Sequence, residues 1–307
     1  MKKIFTILLI AIILPFQKTQ ACDICGCGVG SYYIGILPEF SRKIMGLRYR
    51  YSSLRTHIGA GGTVTYLTSD EAYNTLEWWG GWNIGKKFRV MATVPYSFNQ
   101  RTNQGVAKEK NGLGDINVSA FYQLINSKRM FKKNLLVQSL FIGGGIKLPV
   151  GKYNPADKEN ADQNANLFQL GTASVDYNVN LMYDIRLKDI GLNINASYKM
   201  NTANKYDYNY GNKLSANAQV YYKYRINKKI LLAPNAGVLY ENAAKDIDRK
   251  FKVDISGGKI CFGSLGLETA FKKIAIGANW QTPLSQNLAN GFVKANNKAM
   301  VHVSFSF

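Results

Sequence analysis

The sequence lacks the long apolar run that a membrane-spanning helix requires. Its first apolar stretch, residues 4–16, has about 13 residues, whereas a helix needs about 20 to cross a bilayer. No later stretch is long enough either. A membrane protein built from helices is therefore a poor fit to this chain.

The sequence is also poor in the side chains that active sites use. It has only two histidines, His57 and His302, and no serine stands out as a nucleophile beside either. No phosphate-binding P-loop is present, so nucleotide hydrolysis is not expected to drive any transport. We expect no catalytic residues and no enzymatic activity, with both histidines contributing polarity to the interior or the surface.

Acidic residues are scarce. The chain has 19 Asp and Glu residues against 39 Lys and Arg residues, a net charge of +20. Such a balance first suggests nucleic acid as a partner. The basic residues are dispersed rather than gathered in one patch or helix, and the N-terminus indicates export. We therefore expect no binding of nucleic acid.

The N-terminus has the order of a secretory signal peptide. Basic Met1-Lys2-Lys3 precedes the apolar residues 4–16, and small residues follow at Thr19-Gln20-Ala21. Cleavage after Ala21 would make Cys22 the new N-terminus. Because no linker or shift in composition divides the rest, we expect three parts: a signal peptide at 1–21, a periplasmic cysteine-containing segment at 22–42, and one domain at 43–307.

What the sequence does have is apolar and polar residues that alternate with a period of two. The last seven residues show this without error, with Val301, Val303, Phe305 and Phe307 on one face against His302, Ser304 and Ser306 on the other. Residues 88–98 repeat the pattern. One face suits lipid and the other suits water, as in a membrane β-barrel. A soluble β-sandwich also alternates, so the pattern alone leaves both folds open.

The alternation predicts roughly twelve strands, at 43–57, 71–84, 87–101, 112–126, 134–149, 166–187, 190–204, 210–226, 229–243, 254–271, 274–284 and 297–307. Short basic turns, such as Lys188-Asp189 and Lys272-Lys273, alternate with longer polar loops. This rhythm favours an all-β fold, a transmembrane up-and-down antiparallel β-barrel with both termini in the periplasm. The last strand would close the barrel against the first, around Met45 to Tyr51.

Three segments of the middle third point to a family. They read GLGDINVSAFYQL (112–124), GGGIKLPVGKYN (143–154) and FQLGTASVDYNVNLMY (168–183). These resemble the outer-membrane β-barrel family named for the meta-pathway of phenol degradation, whose members are labelled transporters. The family's Gly-Asp, Lys-Leu-Pro-x-Gly and Gln-Leu-Gly motifs flank one external loop and match Gly114-Asp115, Lys147 to Gly151 and Gln169 to Gly171. The resemblance implies a membrane barrel and passage of small organic compounds.

The expected mature N-terminus contains a cluster of thiols, Cys22, Cys25 and Cys27. Thiolates at this spacing can converge on a soft metal such as Cu(I) or Zn(II), although no fourth protein ligand is evident. In the oxidising periplasm two of them can instead form a disulfide, and the metal and disulfide interpretations stay open. Lipid attachment at Cys22 is a third interpretation, but the preceding residues lack the usual apolar side chain.

A twelve-stranded barrel encloses a space between those of small filled barrels and open porins. By the strand alternation, charged side chains of both signs face this lumen, and the expected set is Arg48, Arg50, Glu77, Arg89, Asp115, Asp176, Asp184, Lys199, Lys223 and Arg225. Most are expected to pair with one another, since an unpaired charge in a confined lumen is costly.

The sequence therefore predicts an outer-membrane channel or transporter for small solutes, in a Gram-negative type of cell. Its expected partners are the outer-membrane lipid and the barrel assembly machinery, because Phe307 is similar to the terminal signal that this machinery reads. The alternative function is a metal-handling or partner-anchoring barrel, which would use Cys22, Cys25 and Cys27 or contact a periplasmic partner through the N-terminal segment. A soluble secreted β-sandwich is the third hypothesis.

Overall fold

The computed structural model describes residues 43–131, 134–159, 167–227 and 229–307. In these ranges twelve strands form a closed antiparallel β-barrel, which confirms the fold class expected from the sequence. Closure gives every strand a neighbour on both sides. A barrel wall of this kind leaves no free sheet edge in lipid, where unpaired backbone groups would be costly.

The strands of the described residues begin with β1 (Ile44–Thr56), β2 (Ser69–Ile84), β3 (Phe88–Asn103), β4 (Val106–Leu113), β5 (Ile116–Phe131), β6 (Asn134–Leu148), β7 (Asp176–Leu187), β8 (Ile190–Met200) and β9 (Tyr208–Asn209). They continue with β10 (Lys213–Tyr222), β11 (Tyr224–Ile226), β12 (Ile230–Ala243), β13 (Ile247–Asp248), β14 (Phe251–Lys252), β15 (Gly258–Phe271), β16 (Ile274–Leu288) and β17 (Lys294–Ser306). β10 and β11 together form one barrel strand, while β4, β9, β13 and β14 lie outside the ring. A single α-helical turn, α1 (Ala156–Glu159), also occurs among these residues.

The barrel closes where the last strand meets the first. In the antiparallel pairing of β1 with β17, Met45 lies opposite Phe305, and Tyr51 lies opposite Ala299. The closing contact expected from the sequence is therefore confirmed. A bulge between Ser52 and Leu54 interrupts the register near the far end of the pair.

Side chains alternate between the two faces of the wall. In β17, Val301 and Val303 are 50% and 42% exposed, whereas His302 and Ser304 are each 3% exposed. The same phase holds in β7, where Val179 and Leu181 are exposed while Asn178 and Asn180 are buried. The outer face is thus apolar and suited to lipid, and the inner face is largely polar.

The two ends of the barrel differ. At the turn end, short connections at 85–87, 188–189 and 272–273 join neighbouring strands, and the first and last described residues meet, the backbone N–H of Phe307 donating to the carbonyl of Lys43 at 3.0 Å. At the opposite loop end the connections are longer and carry their own structure, including a small sheet of β9, β13 and β14. The alternation of short and long connections follows the expectation.

Residues 102–111, which were expected to form a loop, instead extend the wall as a hairpin. β4 returns along β3, with Thr102 opposite Ala107 and Tyr96 opposite Leu113. Gln104 and Gly105 at the turn have φ of 47° and 80°, the left-handed conformation of a two-residue hairpin turn. The expectation was wrong because β4 is mostly exposed on both faces, so its sequence carries no apolar alternation.

The strand expected at 166–187 begins only at Asp176. Residues 168–172 are buried at every position rather than at alternate positions, because this segment folds across the loop end of the interior. There Phe168 packs edge to face on Tyr73, with ring centroids 6.4 Å apart. Because residues 168–172 are buried on all sides, the segment is rich in apolar side chains, and its sequence therefore resembled that of a strand.

The expected signal peptide (1–21) and the cysteine segment (22–42) lie outside the described residues, as do Cys22, Cys25 and Cys27. Their roles stay predictions. Among the residues that the structure describes, no helix is long and apolar enough to cross a membrane.

Candidate functional site in the barrel interior

The charged side chains that the sequence assigns to the lumen fall into two groups that overlap at Glu77, and a few remain outside both. Arg48, Glu77, Arg89 and Asp176 are no more than 2% exposed. A second group lines a cavity at mid-height in the barrel, and it consists of Arg50, Glu77, Asp115 and Lys199. Of the expected set, the structure therefore brings six side chains to the middle of the barrel, and Arg89 is buried nearer the turn end.

The remaining three expected residues lie towards the turn end. The carboxylate of Asp184 accepts a hydrogen bond from the Tyr221 hydroxyl at 3.0 Å. The ammonium group of Lys223 lies 5.2 Å from the centre of the Tyr221 ring. Arg225, on the three-residue β11, is exposed and outside both groups. The sequence could not distinguish these residues from those at the middle of the barrel. Alternation shows which face of the wall a side chain is on, but not its position along the barrel axis.

One chain of ion pairs crosses three neighbouring strands. The ammonium group of Lys147 lies 2.8 Å from Asp115 Oδ2 and 2.6 Å from Asp176 Oδ2. Lys199 Nζ lies 3.3 Å from the same Asp176 oxygen. Thr172 adds its backbone N–H, which donates to Asp115 Oδ2 at 2.9 Å. The sequence placed Lys147 in a motif but did not assign it to the lumen.

The three family motifs meet at this chain of ion pairs. The backbone N–H of Gly151 donates to Asp115 Oδ1 at 3.0 Å. A Cβ atom at Gly171 would lie 2.5 Å from Asp115 Oδ1 and 2.6 Å from the Gly151 carbonyl oxygen. The backbones at Gly151 and Gly171 lie so close together that neither position has space for a Cβ atom. The motifs thus hold the Asp115 carboxylate in place.

A second group of ion pairs surrounds Glu77. Arg48 Nε donates to Glu77 Oε2 at 2.5 Å, and Arg50 pairs with the other carboxylate oxygen. Charge-assisted hydrogen bonds of this kind are the strong ones, and here they satisfy a carboxylate that is almost fully buried.

A third group was missed by the sequence reading. Glu241 Oε2 lies 3.1 Å from Lys298 Nζ, and Glu241 Oε1 lies 3.9 Å from Lys213 Nζ. Lys213 shares the phase of Ser215 and Asn217 along β10, which was the available signal. It was overlooked because the register between strands, which brings Lys213 near Glu241, cannot be read from alternation.

These groups surround a central cavity. The volume within it that the centre of a water molecule can occupy is about 120 Å³. Basic and acidic side chains line it together with amides, hydroxyls and a few apolar groups, among them Asn117, Asn178, Asn195, Ser197, Pro95 and Leu170. The amides bond to each other, as in the 3.1 Å contact from Asn178 Nδ2 to Asn117 Oδ1. A small polar or charged organic molecule would find partners on all sides.

Apolar side chains lie between the cavity and the turn end on one half of the wall. They form a buried cluster inside the barrel, made of Ile44, Trp79, Met91, Phe121, Phe141 and Met182. Met182 also lines the cavity, so the polar and apolar layers are in contact. The interior thus offers both polar groups and an apolar surface.

Phe168 occupies the loop end of the interior. The guanidinium carbon of Arg101 lies 4.6 Å from the centre of the Phe168 ring, and Arg101 pairs with Glu71 at 2.7 Å. Nearby His57 is partly buried, and burial, followed by the positive charge of Arg101, lowers its pKa, while Glu71 opposes the shift. The charged neighbours of His57 are thus an arginine and a glutamate that pair with each other, and not a hydroxyl or thiol nucleophile for which His57 could act as the base.

The other histidine, His302, lies close to Glu268. Its Nε2 atom is 3.6 Å from Glu268 Oε1, and both side chains are buried. Within the part of the chain that the structure describes, no three His, Cys, Asp or Glu side chains are placed to hold a metal ion. The metal site expected at the N-terminal cysteines concerns residues outside that part.

The sequence of residues 52–292 matches the model of a protein family described as "Putative MetA-pathway of phenol degradation". The match covers well over half of the chain and includes all three motif segments. None of the curated proteins matches the sequence at a significant level.

The fold is similar to solved outer-membrane barrels. An outer membrane channel from Pseudomonas putida F1 aligns with a TM-score of 0.60 at 12% identity, over 88% of this chain and 97% of that one. The beta domain of the Bordetella autotransporter BrkA aligns with a TM-score of 0.52 at 10% identity, over 87% of this chain and 100% of that one. At these identities the similarity establishes the fold, which is that of an outer-membrane β-barrel.

Proposed function

This chain belongs to the family described as "Putative MetA-pathway of phenol degradation", and we propose that it is an outer-membrane channel through which small organic solutes diffuse down their gradient. The observation that carries the proposal is the central cavity, which is lined by polar and charged side chains from eight of the barrel strands. A barrel that served only as an anchor would need no such space. The Pseudomonas putida barrel is itself a channel, which supports the same role here.

The interior favours selective passage over free flow of water. Ion pairs and amide pairs line the middle of the barrel wall, and apolar clusters lie towards both ends. A solute would enter beside Phe168, exchange hydrogen bonds with the cavity wall, and leave past the apolar cluster at the turn end. Each exchange replaces a hydrogen bond to water with one to the protein, so the barrier depends on how well the wall matches the solute.

The turn end is proposed to face the periplasm. Short turns at this end and longer loops at the other match the usual arrangement of outer-membrane barrels. Residue 43 lies at the turn end, so the segment 22–42, which remains after removal of a signal peptide at 1–21, would join the barrel from the periplasmic side. The barrel assembly machinery and any periplasmic partner would then act from this side.

Orientation can be tested by labelling single cysteines in intact cells, in a chain whose native residues Cys22, Cys25, Cys27 and Cys261 are replaced by serine. Val64→Cys lies in a loop-end connection and Lys188→Cys in a turn. A membrane-impermeant maleimide should label Val64→Cys in whole cells and Lys188→Cys only after the outer membrane is opened. Labelling of Lys188→Cys alone in whole cells would reverse the proposed orientation.

Channel activity can be tested by liposome swelling with the full mature chain. Liposomes that contain the barrel should swell in an isotonic solution of a small sugar faster than empty liposomes, and the rate should fall steeply with solute size. Equal rates with and without the barrel would overturn the proposal.

A further inference from the structure

Basic side chains that are dispersed along the sequence come together at the turn end of the barrel. The exposed ones, in the turns or at the strand ends beside them, are Lys43, Lys86, Lys87, Lys128, Arg129, Lys188, Arg225, Lys229, Lys272 and Lys273. In the described residues of these turns the acidic side chain is Asp189 alone. At the loop end, by contrast, exposed charges of both signs pair, as Arg55 does with Asp70 at 2.8 Å. The turn end thus has a basic rim, formed by these exposed lysines and arginines.

Aromatic side chains place the basic rim at the height of lipid headgroups. The ammonium group of Lys87 lies 5.7 Å from the centre of the Tyr122 ring, and that of Lys273 lies 5.8 Å from the centre of the Phe305 ring. The aromatic girdles of outer-membrane barrels lie at the two interfaces of the membrane. Basic side chains at such an interface attract anionic lipids. The basic rim is therefore positioned to contact lipid phosphates.

One section of the lipid-facing wall next to the basic rim contains an apolar groove. The groove is lined by Phe131, Leu136, Leu187, Ile190, Leu192 and Val220. It is open to the outside of the barrel, since Ile190 and Val220 are 59% and 54% exposed. All of its lining residues are apolar, so the groove suits an acyl chain rather than a polar ligand.

Two exposed cations lie at the turn-end edge of this groove. Arg129 on β5 lies opposite Leu136 on β6, and Leu136 lies opposite Leu187 on β7, so these side chains share the outer face. Lys188 follows Leu187 in the turn, where its backbone N–H donates to the Leu135 carbonyl at 3.0 Å. This hydrogen bond ties the β7–β8 turn to the start of β6. Arg129 and Lys188 are thus held on two sides of the same apolar surface.

A guanidinium on the outer face of a barrel has a cost that depends on its depth in the membrane. The cost is several kcal/mol for arginine at the bilayer midplane and falls towards zero near the interfaces. At the interface the guanidinium can donate two parallel hydrogen bonds to one phosphate group. Arg129 is therefore suited to a phosphodiester at the headgroup level, with the groove continuing towards the acyl chains.

We propose that Arg129, Lys188 and the apolar groove form a binding site for an anionic phospholipid of the periplasmic leaflet. This inference rests on the proposed orientation, in which the turn end faces the periplasm. The phosphodiester accepts hydrogen bonds from the Arg129 guanidinium and the Lys188 ammonium group, and one acyl chain lies in the groove over Leu187 and Ile190. A zwitterionic phospholipid carries its own cation beside the phosphate and gains less from the two side chains.

Native mass spectrometry of the full mature chain in detergent can test this site with phosphatidylglycerol and phosphatidylcholine of identical acyl chains. The wild type should bind phosphatidylglycerol at least about fivefold more tightly than phosphatidylcholine. Arg129→Gln combined with Lys188→Gln should weaken phosphatidylglycerol binding by roughly tenfold and leave phosphatidylcholine binding unchanged.

The matched control combines Lys272→Gln with Lys273→Gln, which removes the same charge from the same end of the barrel. These two lysines lie in the β15–β16 turn, which β10 and β12 separate from β8. At that distance salt screens their charge, so phosphatidylglycerol binding should change by less than about twofold. All four side chains are exposed, and both double variants are expected to fold, as judged by the faster migration of an unheated barrel in a detergent gel.

Equal losses in the two double variants would show attraction to the basic rim as a whole and overturn the site. Displacement of phosphatidylglycerol by an equal concentration of glycerophosphate, which has no acyl chain, would assign the cations to a soluble phosphate and also overturn it. Selective binding together with whole-cell labelling of Lys188→Cys keeps the anionic lipid site, moves it to the outer leaflet and overturns the orientation. Binding in detergent does not depend on conductance, so the channel function is judged separately.

Discussion

Arg48 and Glu77 lie directly opposite each other on β1 and β2, and the Arg48 guanidinium donates to the Glu77 carboxylate at 2.5 Å with both side chains 2% exposed. A buried pair of this kind adds little net stability relative to an apolar pair of the same shape. Loss of one partner alone is different, because it removes a charge that offsets the other in the interior. The register between β1 and β2 thus determines which basic and acidic side chains of the lumen neutralise each other.

Glu77→Ala should consequently destabilise the barrel by about 3–5 kcal/mol, since it leaves Arg48 and Arg50 without their shared carboxylate. Urea unfolding in detergent or lipid, followed by tryptophan fluorescence, measures this loss. Asp70→Ala is the matched control, because its pair with Arg55 is 46% and 59% exposed and should contribute far less. Equal losses for the two variants would contradict the burial of the Glu77 group.

Gly171→Ala should disrupt the Asp115 site. The new methyl group would lie within 2.6 Å of two oxygen atoms, so the backbone must shift, at a cost of about 1–3 kcal/mol. Gly144→Ala is the control, since its nearest neighbour would be the Asn178 carbonyl oxygen at 3.6 Å. Urea midpoints should fall for Gly171→Ala and stay within error for Gly144→Ala; a reversed order would rule out the close approach.

Protonation of His57 should loosen the loop end. Burial lowers the pKa of His57, so the folded state holds the neutral ring, and the stabilisation is complete above the usual value of 6.5 and is lost as the pH falls below it. The protection of the amides of residues 57–68, measured as the exchange rate relative to the intrinsic rate at each pH, should therefore fall between neutral and mildly acidic pH. Asn at position 57 tolerates the local φ of 56°, and His57→Asn should remove this fall in protection; protection that still falls in the variant would assign the effect to another group.

The lipid-facing side of the wall can be tested with a charge. Val179 is 47% exposed on the outer face of β7, and Val179→Arg should destabilise the barrel in a bilayer by up to about 2–4 kcal/mol, the cost of a buried charge at the bilayer midplane. Val64, which is 70% exposed in a loop-end connection, provides the control Val64→Arg with no such cost. A comparable cost for both changes, measured by unfolding in liposomes, would place Val179 outside the lipid.

The sequence predicted the wall better than the interior. Strands such as β3 and β17 were evident because lipid on one face and polar contacts on the other impose a strict period of two. The hairpin of β4 and the segment 168–172 were misassigned, since the first is exposed on both faces and the second is buried on all sides. Neither environment produces alternation.

The ion pairs of the interior show the same limit. Arg48 and Glu77 could be assigned to the lumen from their phase, but the partners Lys213, Lys298 and Glu241 could not be matched to one another. Pairing across strands depends on register and on the tilt of the barrel, and a shift of two residues preserves the alternation while changing every partner.

The central claim is that solutes cross through the cavity, and conductance of the full mature chain in a planar bilayer tests it most directly. Ser97→Trp places a large ring in the cavity, whereas Gln100→Trp places the same ring on the exposed outer side of β3. We expect discrete current steps for the wild type and for Gln100→Trp, and steps reduced at least several-fold for Ser97→Trp. Currents that are absent from the wild type, or unchanged by Ser97→Trp, would contradict a channel through this cavity.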